Sequence, residues 1–108
     1  MRGDLAGDVE VAAVRLHDDL DAVTAAQVGE LLQRVVLPGS RVILDMGSVM
    51  FMDCAGLTEL LRANRRAAEG GGWVRLTCVQ DGPQRVLDLT GTADLLLRRI
   101  PGQRGCER

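Results

Sequence analysis

Residues 41–79 read RVILDMGSVMFMDCAGLTELLRANRRAAEGGGWVRLTCV. The opening "RVILDM" (41–46) is an apolar run of strand length. After Asp53 the period changes. Leu57, Leu60, Leu61, Asn64 and Ala68 fall at helical spacing, with Glu59, Arg62, Arg65 and Arg66 largely outside that stripe. Gly70-Gly71-Gly72 ends the helix by supplying a residue for a left-handed cap. "WVRLTCV" (73–79) is then the next strand. A strand, a helix and a second strand in this order predict two parallel strands joined by a crossover.

The flanks extend the same alternation. "VEVAAVRLH" (9–17) reads as a strand, and its imperfect alternation suggests burial on both faces. The acidic turn "DDLD" (18–21) follows. Thr24-Ala25-Ala26-Gln27 reads as a capping box, and Val28, Leu31, Leu32 and Val35 form one helical stripe. "LPGS" (37–40) breaks that helix. Pro83 can sit in the first turn of a short helix, "PQRVLDL", which Gly91 is placed to end. "LLLRRI" (95–100) reads as a last strand. The expected fold class is therefore α/β: a single domain over residues 9–100, with a mostly parallel, mixed β-sheet and helices packed against it. A segment 1–8 precedes it and a tail 101–108 follows. Crossovers should be right-handed. Functional loops in such sheets gather at the carboxyl ends of the strands, here 18–24, 47–53 and 80–85.

Composition narrows the function. A chain of 108 residues that is 46% apolar can bury one core without disulfide staples. A net charge of −2 gives no electrostatic reason to expect nucleic-acid binding, and all 13 basic residues are arginine. Phe51 and Trp73 are the only aromatics, too few for a base-stacking platform. Cys54, Cys78 and Cys106 lie far apart and form no C-x-x-C pair, which with one histidine argues against a zinc site. No cofactor or metal is expected. The N-terminus carries acids and lacks an apolar signal core, and no apolar run is long enough to span a membrane. The expectation is a cytoplasmic protein.

The helix that opens at "MDCAGL" (52–57) is the candidate functional element. Asp53 is a good N-cap, and Met52 and Leu57 have the spacing of a hydrophobic staple. Cys54, Ala55 and Gly56 form the first turn, whose backbone N–H groups lack intrahelical partners and attract an anion. Gly56 lets another surface approach closely. The same features also describe ordinary capping of a core helix. Cys54 could be a redox-sensitive thiol, although a half-buried packing role is the plainer reading. Thr58 should bond back to the preceding backbone. Asp18, Asp19 and Asp21 suit a cation or, more simply, a solvated turn. His17 has no partner that would make a catalytic set.

The segment 42–76 resembles the core signature of the STAS domain, found in bacterial anti-sigma factor antagonists and sulfate transporters. "RLHDDLDAVTA" resembles that family's Gly-Glu-Leu-Asp-x-x-Thr segment before the first helix, and "RVLDLTGTADLL" its short helix followed by a glycine and the last strand. The resemblance spans about residues 9–100. It implies a binding module, not an enzyme, that holds an anti-sigma factor with serine kinase activity and so frees a sigma factor. Phosphorylation of a Ser or Thr just before the motif glycine would end that complex. Here that position is Ala55, which has no oxygen to accept a phosphate, so the usual switch is missing. Asp21, Asp45, Asp53, Gly56 and Leu57 match the motif. Asp21, Thr24, Asp53, Cys54, Ala55, Gly56 and Thr58 are the expected partner-binding set. Thr58, Ser48 or Cys54 could carry a substitute modification. The alternative implied by the resemblance is a STAS subunit of a membrane transport complex that contacts its ATPase subunit.

Overall fold

The computed structural model describes residues 11–98. Three strands, β1 (Ala12–Arg15), β2 (Arg41–Asp45) and β3 (Trp73–Thr77), alternate with α1 (Ala25–Val35) and α2 (Cys54–Ala68). Two further helices follow, α3 (Asp81–Thr90) and α4 (Ala93–Leu96). The sheet order is β1-β2-β3 and every described pairing is parallel. The α/β architecture read from the sequence is therefore present.

β2 lies in the middle, so its side chains set the core. Val42 and Leu44 are buried and stand in register beside Val74 and Leu76 of β3. Leu32, Leu57, Leu60, Ala63, Ala67, Leu87 and Leu96 join them in one apolar cluster. α2 carries one polar residue into that cluster, Asn64. Its Oδ1 accepts the Val74 N–H at 2.9 Å and the Arg75 guanidinium at 3.3 Å, so the helix is tied to β3 by a buried polar contact. Arg75 also donates to the Val74 carbonyl and lies over the Trp73 ring. Burial, and then the charge of Arg98, hold its guanidinium below the ordinary arginine value. The glycine run ends α2 as expected. Gly71 is left-handed at φ 89°, its N–H donates to Ala68 and the Gly72 N–H donates to Ala67, the two bonds of a Schellman closure. Gly91 likewise ends α3 at φ 76°.

Several expectations are corrected. β1 is an edge strand among the described residues, and Ala12, Ala13 and Arg15 are exposed, so it is not buried on both faces. Its imperfect alternation reflects an edge position, and residues 9–10 lie outside the described residues. The run expected as a last strand begins inside α4 instead: the Leu95 and Leu96 N–H groups both donate to the Thr92 carbonyl. A run of three leucines fits either period, and only Leu96 of them is buried, as on one side of a helical turn. Residues 99–100 lie outside the described residues.

β3 stops at Thr77, where Cys78 turns the chain at φ 57°. α3 begins at Asp81, which leaves Pro83 in its first turn. Thr24 precedes α1 but its hydroxyl does not cap it. Asp21 Oδ1 instead accepts the Val23 and Thr24 N–H groups in the turn that leads into α1. Both helical stripes are also rotated from their expected lines. Leu31 and Ala68 are exposed and Leu61 is only partly buried, whereas Ala25, Gly29, Ala63 and Ala67 face inward.

These burials separate two neighbouring leucines. Leu60→Ala should cost about 2–5 kcal/mol, and Leu61→Ala less than half as much, as read from urea unfolding midpoints. Equal losses would contradict the rotated stripe.

Candidate functional site

The loops after β1, β2 and β3 meet at one end of the sheet. Leu20 and Met52 form an isolated parallel bridge. The Leu20 N–H donates to Phe51 at 3.0 Å, and the Asp53 N–H donates back to Leu20 at 2.9 Å. The third loop joins through Gln80, whose amide reaches the Gly47 carbonyl at 3.4 Å, and through Gly82, which lies against the Met50 carbonyl.

Asp53 organises the junction. Its Oδ1 accepts the N–H groups of Ala55 (2.9 Å) and Gly56 (3.1 Å), and its Oδ2 accepts that of Ala22 (3.2 Å). One carboxylate thus caps α2 and holds the neighbouring loop. This corrects the expected anion spot: two of the first-turn donors are already taken by a negative group of the same chain. Gly56 is corrected in the same way. It is buried, and a Cβ there would overlap the Leu20 carbonyl, so the surface it admits is its own chain.

The other candidates divide by exposure. Cys54 and Thr58 are exposed and Ala55 is half-buried, so Cys54 is not the half-buried packing residue expected. Thr58 donates to the Cys54 carbonyl at 2.8 Å, the back-bond its position implied. Asp21 and Thr24 are half-buried. The Thr24 hydroxyl donates to the Asp19 carbonyl at 2.6 Å and accepts the Asp21 N–H at 3.1 Å. Asp45 ends β2, accepts the Gly47 N–H at 2.8 Å and pairs with Arg15 at 3.4 Å. Ser48 is exposed in the turn that follows. Among the described residues no three His, Cys, Asp or Glu side chains stand together as metal ligands.

Sequence reasoning missed the apolar part of this face. Val23 is 84% exposed, Met50 62% and Phe51 52%. They stand on the loops that Asp53 and the Leu20–Met52 bridge hold together. The available signal was "VMFM" (49–52), an apolar run in a loop that strand and helix periodicity do not explain. Only Val49 and Met52 of it are buried.

The sequence matches the STAS domain over residues 4–101, nearly the whole chain. The chain belongs to the STAS family. STAS domains are in general protein-interaction modules rather than enzymes. The STAS fold here is similar to that of a sulfate transporter family protein from Wolinella succinogenes, with TM-score 0.65 and 20% identity. That match covers 82% of this chain and 75% of the other. No helix among the described residues is long and apolar enough to cross a membrane.

Two substitutions test the junction. Asp53→Ala should cost about 1–2 kcal/mol through the lost cap, with Asp53→Asn losing less. Gly56→Ala should cost about 1–3 kcal/mol, because the Leu20 backbone must move. Thermal melts of both would check this, and an unchanged Gly56→Ala variant would refute the close packing described.

Proposed function

We propose that this STAS domain is an anti-sigma factor antagonist that binds an anti-sigma factor with serine kinase activity, or a related switch protein, and so regulates transcription in the cytoplasm. The observation that carries the reading is the surface around Ala55. A half-buried alanine occupies the first turn of α2 beside exposed Cys54 and Thr58. Val23, Met50 and Phe51 expose large apolar side chains on the adjoining loops.

The energetics favour a protein partner for such a face. Full burial of a Met, Val or Phe side chain contributes about 1.5–3 kcal/mol each. Polar groups beneath the face are already occupied: the Asp53 and Asp21 carboxylates accept backbone N–H groups. A partner therefore gains apolar contact without having to satisfy them. Asp21, Thr24 and Asp53 hold the loops that carry the face through their hydrogen bonds, and Cys54, Ala55 and Thr58 stand at the start of α2, directly after the loop that bears Met50 and Phe51. Gly56 serves it indirectly through its contact with Leu20.

Ala55 removes the phosphate acceptor. The protein would stay in its binding-competent form, and its abundance rather than its modification would set the response. With the kinase and ATP-Mg, the wild type should gain no phosphate at residues 53–58, whereas Ala55→Ser should gain one. Serine costs only a few tenths of a kcal/mol more than alanine in a helix, so stability should barely change. Phosphopeptides mapping to Thr58 of the wild type would overturn the unmodified form.

Ala55→Glu separates an interface from a cap. A carboxylate near a helix N-terminus favours the helix by about 0.3–1 kcal/mol. Asp53 already supplies negative charge there, so the gain should lie at the low end. Desolvated against a partner without a counter-ion, the same charge costs several kcal/mol. Calorimetry against the kinase, with melting measured alongside, should show lost affinity at nearly constant stability. Wild-type affinity would sink the proposal. Binding to a transporter ATPase subunit in place of a kinase would support the transport-complex reading instead.

A further inference from the structure

The exposed pair Met50–Phe51 stands on a stretch that neither a strand nor a helix supports. β2 ends at Asp45 and α2 begins at Cys54. Between them, the Val49 N–H bonds back to Met46 and the bridge to Leu20 begins only at Met52. The N–H groups of Met50 and Phe51 nevertheless have a partner. Asp19 Oδ1 accepts both, at 3.0 and 3.2 Å, across 31 and 32 residues of chain.

We propose that Asp19 is a positioning residue for the binding face: its carboxylate grips the Met50–Phe51 backbone and so sets where those two exposed side chains meet a partner. This rests on the binding function proposed above. Three features make the grip specific. The Asp19 carbonyl is itself held by the Thr24 hydroxyl at 2.6 Å, so the gripping residue is fixed to the start of α1. The carbonyl of Met50 abuts Gly82 on α3, so the Met50 residue is held at its N–H and confined at its C=O. Asp53 makes the reverse connection, from the second loop to Ala22 of the first, so each loop holds the other through a carboxylate. Asp18 supplies the contrast. It has the same charge in the same turn, is exposed, and makes no hydrogen bond or ion pair among the described residues.

The test compares the wild type with Asp19→Ala, Asp19→Asn and Asp18→Ala. Amide hydrogen exchange followed by NMR needs no partner. Asp19→Ala should speed exchange at Met50 and Phe51 by about tenfold, the loss expected for a charge-assisted hydrogen bond. The Met46 amide, bonded to Thr77, should be unaffected. Asp19→Asn keeps an acceptor oxygen and should restore part of the protection, whereas Asp18→Ala should match the wild type. Calorimetry with a purified serine-kinase anti-sigma factor as probe gives the second readout. Affinity should fall for Asp19→Ala, recover partly for Asp19→Asn and hold for Asp18→Ala, measured at a temperature where every variant is fully folded, since losing the two bonds also lowers the melting temperature of Asp19→Ala by several degrees. Unchanged exchange in Asp19→Ala, or equal affinity losses for Asp18→Ala and Asp19→Ala, would overturn the proposal. A wild type that binds no kinase would sink the function proposed above, and the exchange comparison would then decide the grip alone.

Discussion

The contact between Gly56 and the Leu20 carbonyl sets the distance on which the rest of this face depends. Only a residue without a Cβ lets the first turn of α2 lie directly on the loop after β1. At that distance Leu20 can bridge Met52, and Asp53 can reach Ala22 while still capping its own helix. One larger atom at Gly56 would lengthen all of these contacts together. The site is therefore less a set of separate residues than a single spacing, enforced by a glycine and secured by carboxylates.

That spacing also explains what could be read in the sequence. The order of strands and helices was legible, because β2, β3 and α2 carry strong apolar patterns closed by glycine. The Asp53 cap and the Thr58 back-bond were legible too, since both are local. Facing directions were legible only in part: Leu32, Leu57, Leu60 and Asn64 are buried as their spacing implies. Periodicity weights large side chains, but small ones are also turned inward: Gly29 lies against the Glu59 side chain, and Ala63 and Ala67 line the core. The spacing of Leu31 and Leu61 points inward, yet Leu31 is exposed and Leu61 only partly buried, while Ala25, Gly29, Ala63 and Ala67 are buried.

The misread parts of the site share one cause. The grip of Asp19 on Met50 and Phe51 and the bond from Ala22 to Asp53 both depend on where two loops come to lie in space. The first-turn donors were visible as donors, but their acceptor was expected from outside. Exposed Met50 and Phe51 were hidden because an apolar run in a loop resembles a strand that has merely lost its period. The last leucine run shows the opposite error, a helical turn mistaken for a strand because three apolar residues cannot fix a period.

Asn64 gives α2 a mechanical character. Its amide oxygen locks the middle of the helix to Val74 and Arg75, while Asp53 fixes one end and the glycine closure the other. Sliding or rotating the helix against β3 would strand buried polar groups, which costs more than small apolar readjustments. α2 is therefore held at both ends and at its middle, and a partner docking on its leading turn, as proposed above, would meet a ready-made surface. A preformed surface spends little ordering entropy on association. Differences in grip among partners of such a surface would then appear chiefly as differences in residence time.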